Sequence, residues 1–231
     1  MYKNFNNILL YYIIIMELEL KNKMICFCAK RNSGKSQLLR YFLMNSKKTF
    51  SKIFCICPTE SVNKFYSDII PKENVFDSYN EDWTESLIKK MTDVNAGKSP
   101  QEKKFILLIL DDCCSDSNFH QSKSLKKLFT RGRHIGIGVF ITAQYPYHIP
   151  PICRNNCDYI LCGQLNKQGI DLMTSEFQMG DVSKKEFLDL YHSNTSDYGF
   201  LVINNNSSSD NSNIETLYGY IKCPEKYIKK T

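Results

Sequence analysis

The sequence lacks any run close to the roughly 20 apolar residues that span a bilayer as a helix. Its N-terminal apolar stretch, Ile8 to Ile15, stops after eight residues, so we do not expect it to act as a membrane anchor. No small-residue cleavage site follows that stretch, which argues against a secretory signal. Paired CxxC motifs, or CxxC with a His pair, are also missing at zinc-site spacing, although the chain has ten cysteines. Cys26 and Cys28, like Cys55 and Cys57, stand at alternate positions inside apolar strand-like runs, and we expect each pair to face opposite sides of a sheet. Cys113 and Cys114 directly follow an acidic pair. These placements point to reduced, mostly buried thiols rather than to disulfides or a zinc centre. Internal repeats are absent as well.

What the chain does have is ample material for a core: 231 residues, 42% hydrophobic and 13% aromatic. One globular domain over residues 24–231 is expected, with residues 1–23 as an N-terminal extension or edge strand. Within that extension, residues 1–15 fit an edge strand, an interface arm or an upstream segment equally well. The formal net charge of +6 favours an acidic partner, although abundant Asn, Ile, Lys and Tyr also fit simple codon bias.

Short β-rich runs alternate with helical stretches, the pattern of an α/β fold with a mainly parallel central sheet flanked by helices. The predicted strands are Met24–Cys28, Ile53–Cys57, Phe105–Leu110, Ile135–Thr142, Tyr159–Gly163, Gly199–Ile203 and Leu217–Ile221. The predicted helices are Lys35–Met44, Trp83–Val94, Ser122–Phe129, Gln168–Phe177 and Lys184–Tyr191. Asn95 to Glu102 reads as a surface loop. The Asn/Ser run Asn204 to Asn213 reads as a mobile connection between two late antiparallel strands.

Ala29-Lys30-Arg31-Asn32-Ser33-Gly34-Lys35-Ser36 joins an apolar strand to the helical pattern beginning Gln37-Leu38-Leu39. That context is the one a phosphate-binding (Walker A) loop requires. Backbone N–H groups of residues 29–37 and the helix N-terminus would surround a β-phosphate. Lys35 would bridge the β- and γ-phosphates of ATP, and the Ser36 hydroxyl would bind Mg²⁺. Ala29 stands where Gly is usual, a mild departure because Ala is the smallest substitute. The run Phe105 to Leu110 then ends in Asp111-Asp112, as a doubly buried parallel strand carrying a Walker B pair would. Asp111 would hold Mg²⁺ through water, and Asp112 would orient or deprotonate the attacking water. The alternative for this pair is a helix cap or a polar turn.

A basic helical stretch carrying Lys123, Lys126, Lys127, Arg131 and Arg133 precedes the next strand, which closes on Gln144. Gln144 is placed to contact the γ-phosphate or its water; otherwise it caps a strand end. Arg131, Arg133 and Arg154 are candidates for an arginine supplied to a neighbouring subunit's γ-phosphate. Each, taken alone, is as readily a DNA-phosphate or structural contact. Leu165-Asn166-Lys167-Gln168-Gly169 approaches a guanine-reading motif, but Gly169 replaces the required Asp, which argues against a GTPase. A nucleotide kinase is disfavoured by the buried strand ending in Asp-Asp. A non-catalytic nucleotide-binding scaffold would need Lys35 and Asp112 to be idle.

These residues resemble those of the poxvirus-type genome-packaging ATPases of nucleo-cytoplasmic large DNA viruses, in the FtsK/HerA superfamily. The resemblance rests on Ala29 to Ser36, Asp111-Asp112-Cys113, Arg131-Gly132-Arg133-His134, Thr142-Ala143-Gln144, Ile149-Pro150-Pro151 and Arg154-Asn155-Asn156, covering about residues 24–163. It implies a RecA-like P-loop core and a homo-oligomeric ring, pentameric or hexameric, with ATP between neighbours. It also implies translocation of double-stranded DNA into a capsid, with a capsid or portal component as partner. Such a protein works in the host cytoplasm at the viral factory, or in the virion. Arg133 and Arg131 inherit the finger role from this resemblance more naturally than Arg154. A HerA-like helicase or translocase shares the same core and is the alternative. The chain departs from the pattern at Ala29 and in its short C-terminal region, which has no evident winged-helix or nuclease domain.

Overall fold

The computed structural model describes residues 20–113, 117–206 and 213–225. The proposed edge strand or arm at residues 1–15, Cys114 and most of the 204–213 connection lie outside the described residues. Eight strands form one sheet: β1 (Met24–Cys28), β2 (Lys52–Ile56), β3 (Val75–Phe76), β4 (Ile106–Asp111), β5 (Ile137–Ala143), β6 (Tyr159–Cys162), β7 (Gly199–Asn204) and β8 (Tyr218–Lys222). Their spatial order is β3-β2-β4-β5-β1-β6-β7-β8. The pairings from β3 through β6 are parallel, and β7 and β8 close the sheet with antiparallel pairings. This is the expected P-loop α/β architecture with late antiparallel strands.

The main helices are α1 (Lys35–Ser46), α2 (Glu60–Asn63), α3 (Glu81–Asn95), α4 (Ser117–Gln121), α5 (Lys123–Ile135), α6 (Pro151–Asn155), α7 (Lys167–Phe177), α8 (Lys184–Asn194) and α9 (Ile214–Leu217). Alternation along the strands sorts the core into two layers. Ile106, Leu108 and Leu110 of β4 join one hydrophobic cluster with Leu125, Leu128 and Phe129 of α5, Met91 of α3 and Phe177 of α7. Leu107 and Ile109 join the other, with Leu38, Leu39, Phe42 and Leu43 of α1. A strand buried on both faces has no need of polar alternation, which is why β4 reads as a continuous apolar run.

The same alternation corrects the expectation for the cysteines. Side chains two apart on a strand share a face. Cys26 and Cys28 accordingly lie in one cluster, their Sγ atoms 3.4 Å apart, and Cys55 and Cys57 lie together in the other. All nine described cysteines are buried, and none is in a disulfide among the described residues. Cys57 is pushed up to about 11 by burial and by the charge of Asp111. Because the thiolate is the reactive form, these nine should stay silent toward a thiol-titrating reagent at pH 8 in the folded protein and react on denaturation. Fast native labelling of more than one thiol per chain, the allowance for Cys114, would contradict this packing.

Two boundaries moved for local reasons. The predicted strand starting at Ile135 begins instead at Ile137, because Gly136 ends α5 in a left-handed conformation (φ 82°). A Cβ there would lie 2.5 Å from the Lys104 carbonyl oxygen, so only glycine fits. Leu217 ends the short helix α9, whose N-cap is Asn213, and β8 starts one residue later. The two-residue β3 is too short to carry a sequence pattern.

Because β1, β4, β5 and β6 run in parallel, the residues that follow them gather along one edge of the sheet. Ala29, Asp112, Gln144 and Gln164 all leave their strands there. β5 lies between β1 and β4, so the loop after β1 and the acidic end of β4 are two strand spacings apart, about 10 Å.

Candidate functional site

Residues 29–34 lead from β1 into α1 by a turn in which Asn32 (φ 59°) and Gly34 (φ 82°) are left-handed. Ala29 N–H donates to the Ala143 carbonyl (3.2 Å) and Lys30 N–H to that of Gln164 (2.7 Å), which tethers the loop to strands on both sides. Gly34 caps α1 without any side-chain hydrogen bond to the helix. The first N–H groups of α1 are thus left facing the loop, the arrangement that receives an anion. The alanine in place of glycine at position 29 is accommodated by Gly163, the residue after β6: a Cβ on Gly163 would sit 2.9 Å from the Ala29 Cβ. Ser36 and Gln37 occupy the first turn of α1, half-buried beside Lys35.

Lys35 is itself buried, 7% exposed, and its ammonium donates to Asp112 Oδ1 at 3.0 Å. Asp112 is left-handed (φ 51°), more open to solvent, and accepts a second hydrogen bond on Oδ2 from Gln144 Nε2 at 3.2 Å. Gln144 Oε1 in turn accepts from Arg31 Nε at 3.2 Å. Four residues singled out from sequence, on three separate segments, therefore meet in one chain of contacts: Lys35, Asp112, Gln144 and Arg31. Lys30, Arg31, Gln144 and Tyr145 line an open cavity of about 440 Å³ beside it.

Asp111 is held differently. It is buried, and its carboxylate accepts from Thr142 Oγ1 (2.5 Å), Tyr66 Oη (2.8 Å) and Cys57 Sγ (3.6 Å). Thr142 stands directly across from Asp111 in the β4–β5 register, and its hydroxyl also accepts the Asp112 N–H (3.1 Å). One hydroxyl thus fixes both acidic residues. Tyr66 is in turn set by the buried Glu60, whose carboxylate accepts from the N–H groups of Phe65 (2.9 Å), Tyr66 (2.9 Å) and Ser67 (3.0 Å). Burial, reinforced by the Asp111 charge, pushes the Tyr66 phenol well above its ordinary range, so it stays protonated and donates.

Thr142, Tyr66, Cys57 and Glu60 were given no role from the sequence. A Thr inside an otherwise apolar strand, opposite an acidic strand end, is the one signal that was present. Tyr66→Phe keeps the ring but removes a donor from a buried carboxylate. It should cost about 1–3 kcal/mol of stability, measured by urea denaturation; an unchanged midpoint would show that this bond adds nothing.

The arginines are distributed elsewhere. Arg133 pairs through Nη1 with Asp158 Oδ1 at 2.8 Å, and Asp158 Oδ2 accepts the N–H of Met24, the first residue of β1. Arg133 thus sits at the sheet edge opposite the 29–36 loop of its own chain. Arg131, one helical half-turn earlier on α5, is exposed and has no partner among the described residues. Arg154 is buried and fully engaged by Glu176 (Nε, 2.7 Å) and by the carbonyls of Pro146 (3.0 Å) and Ile149. Its role is to staple the segment after Gln144. Asn166 of the guanine-like motif caps α7, accepting from Gly169 N at 2.8 Å, which is a structural use of that residue. No described helix is long and apolar enough to cross a membrane.

Residues 16–219 match the model of the family described as Poxvirus A32 protein. Uncharacterized protein 075L of Invertebrate iridescent virus 6 is 30% identical over 203 residues, which cover 87% of this chain and 77% of that protein. Uncharacterized protein 015R of Frog virus 3 is 22% identical over 196 residues, 85% of this chain and 61% of that protein. Among solved structures, B204, the DNA-packaging ATPase from Sulfolobus turreted icosahedral virus, superposes with a TM-score of 0.61. The identity is 17%, with 87% of this chain and 98% of that one covered. The genome packaging NTPase B204 from Sulfolobus turreted icosahedral virus 2 in complex with AMPPCP gives 0.60 at 18% identity, over 87% of this chain and 97% of the other. At such identities these two matches establish a shared fold.

Proposed function

The chain belongs to the Poxvirus A32 protein family, and on that premise we propose that it is an ATP-hydrolysing motor that moves double-stranded DNA into a viral capsid. The observation that carries the reading is the contact of Lys35 and Gln144 with the two oxygens of Asp112 at the C-terminal edge of the parallel strands. A buried lysine beside an uncapped helix N-terminus suits a polyphosphate. Lys35 would exchange its carboxylate partner for β- and γ-phosphate oxygens, which frees Asp112 to orient or deprotonate water. Gln144, already touching Asp112, would fix that water against the γ-phosphate.

The residues fit Mg²⁺ as well. Ser36 and Asp111 would hold it, and the ion when bound neutralises charge developing on the phosphate oxygens. Three of the roughly four lone-pair sites of the Asp111 carboxylate are occupied by protein donors. That leaves room for contact through water rather than for direct chelation. Residues 24–231 act as one ATPase domain in this reading, and subunits assemble as a ring around DNA, partnered by a capsid or portal component at the viral factory or in the virion.

The test is ATP turnover by the purified, oligomeric protein with and without long double-stranded DNA. Stimulation by DNA is the expected result; tight ATP binding with no turnover in either condition would favour a scaffold instead. Lys123, Lys126 and Arg131 form an exposed basic face on α5. If it follows the phosphate backbone, log affinity should fall against log salt with a slope of about −0.9 per phosphate neutralised. A flat salt response would remove DNA from that face.

A further inference from the structure

The phosphate loop has two sides. Residues 30–31 face Gln144 and Tyr145. Asn32 and Ser33 turn the other way, into a separate pocket of about 210 Å³ that they share with Gln164, Thr195, Asp197 and Tyr198. These last four follow β6 or precede β7, whose N-terminal end reaches the same sheet edge because β7 is antiparallel to β6. In the ATPase reading, Lys35 and Asp112, in contact with each other, would hold the γ end of a nucleotide on the β4–β5 side. A nucleotide anchored there extends its sugar and base across the loop, toward β6 and β7.

Three observations mark this pocket as built for a ligand. Ser33, 6% exposed, borders the pocket, and its buried hydroxyl has no hydrogen-bond partner among the described residues. Buried hydroxyls are rarely left so. Asp197 and Tyr198 are consecutive left-handed residues (φ 48° and 60°), a costly conformation for non-glycine residues. That turn lays the Tyr198 ring on Gly34, where even a Cβ would approach Cδ1 to 2.9 Å. The volume is below that of sites for drug-sized ligands, so it suits a nucleoside and not an entire triphosphate.

We propose that this pocket binds the nucleoside half of ATP, with the Asp197 carboxylate accepting from the ribose hydroxyls and the Tyr198 ring walling the sugar against the loop. The assignment rests on the ATPase reading and specifies its ligand. A carboxylate only accepts hydrogen bonds, so it selects a group that donates them, and of the two donating parts of ATP the sugar lies nearer the phosphates than the base does. Lys222 pairs with Asp197 from β8.

Calorimetric titration of the purified chain with ATP, 2′,3′-dideoxy-ATP and inorganic tripolyphosphate, each with Mg²⁺, tests this. Asp197→Asn preserves the left-handed turn, which Asn tolerates, while removing the charge. It should weaken ATP at least tenfold, leave tripolyphosphate unchanged and abolish a preference for ATP over the dideoxy compound. Gln164→Ala should also weaken ATP and spare tripolyphosphate. Lys35→Ala should weaken both. ATP affinity within twofold of wild type in Asp197→Asn, with Lys35→Ala still defective, would overturn the pocket and keep the phosphate site. Parallel loss of tripolyphosphate in Asp197→Asn would reduce the residue to a support of the loop and overturn the proposal equally. Absence of both ATP and tripolyphosphate binding in the wild type would overturn the ATPase reading itself.

Discussion

Asp112→Asn is expected to lower ATP turnover by about 10²–10⁴-fold, the usual contribution of a positioned base, while ATP binding survives. Lys35→Ala is expected to lose binding as well. The two outcomes diverge because the two groups pair with each other. Lys35 Nζ lies 3.0 Å from Asp112 Oδ1, so in this structure the aspartate holds the cation that a phosphate must claim. Neutralising Asp112 removes that competitor, and the affinity of the variant for ATP should equal or exceed that of the wild type. Removing Lys35 takes away the buried cation itself and leaves the Asp112 carboxylate with Gln144 as its side-chain partner among the described residues. Equilibrium binding of a fluorescent ATP analogue, set beside phosphate release, separates the cases. Normal turnover in Asp112→Asn would show that another group handles the water, and weakened binding in that variant would show that the lysine depends on its partner for placement.

How far the sequence carried this site follows from where each kind of signal resides. The 29–36 loop and the Asp111-Asp112 pair are local: a turn between a strand and a helix, and a strand end, each visible in eight residues. Gln144 became interpretable because it closes a strand, and the sheet order then placed that strand between the other two. Tyr66 and Glu60 were not legible, since they reach Asp111 through a loop with no periodicity and through contacts 45 residues apart in sequence. The strand boundaries at Ile137 and Tyr218 shifted for a related reason: a glycine that ends a helix and a one-turn helix before a strand both override the apolar pattern. The cysteine pairs were misplaced by sheet geometry rather than by missing information, because residues two apart on a strand share a face.

The arginines are where the folded chain sharpens the choice most. Of its five arginines, Arg40 is tied to Asp68, Arg133 to Asp158 and Arg154 to Glu176, and Arg31 lies within its own site against Gln144. Arg131 alone is exposed without a partner among the described residues. If a neighbouring subunit supplies charge to the γ-phosphate, Arg131→Ala should cut turnover by about 10³-fold or more, with a stability change within about 0.5 kcal/mol, as for an isolated surface residue. Arg133→Ala should behave otherwise. It strips the main cation from Asp158, a carboxylate only 3% exposed, and leaves it with the Met24 N–H and a Lys23 ammonium 3.9 Å away. That should cost about 1–3 kcal/mol of stability, and any lost activity must be read against it. Mixing Arg131→Ala subunits with Lys35→Ala subunits decides the matter: in a mixed ring, an intact loop on one subunit faces an intact arginine on the next, and turnover should return. Recovery with Arg133→Ala in place of Arg131→Ala, at matched stability, would move the role to Arg133. No recovery with either would mean that the arginine acts within its own chain or that the transferred charge is met by Arg31.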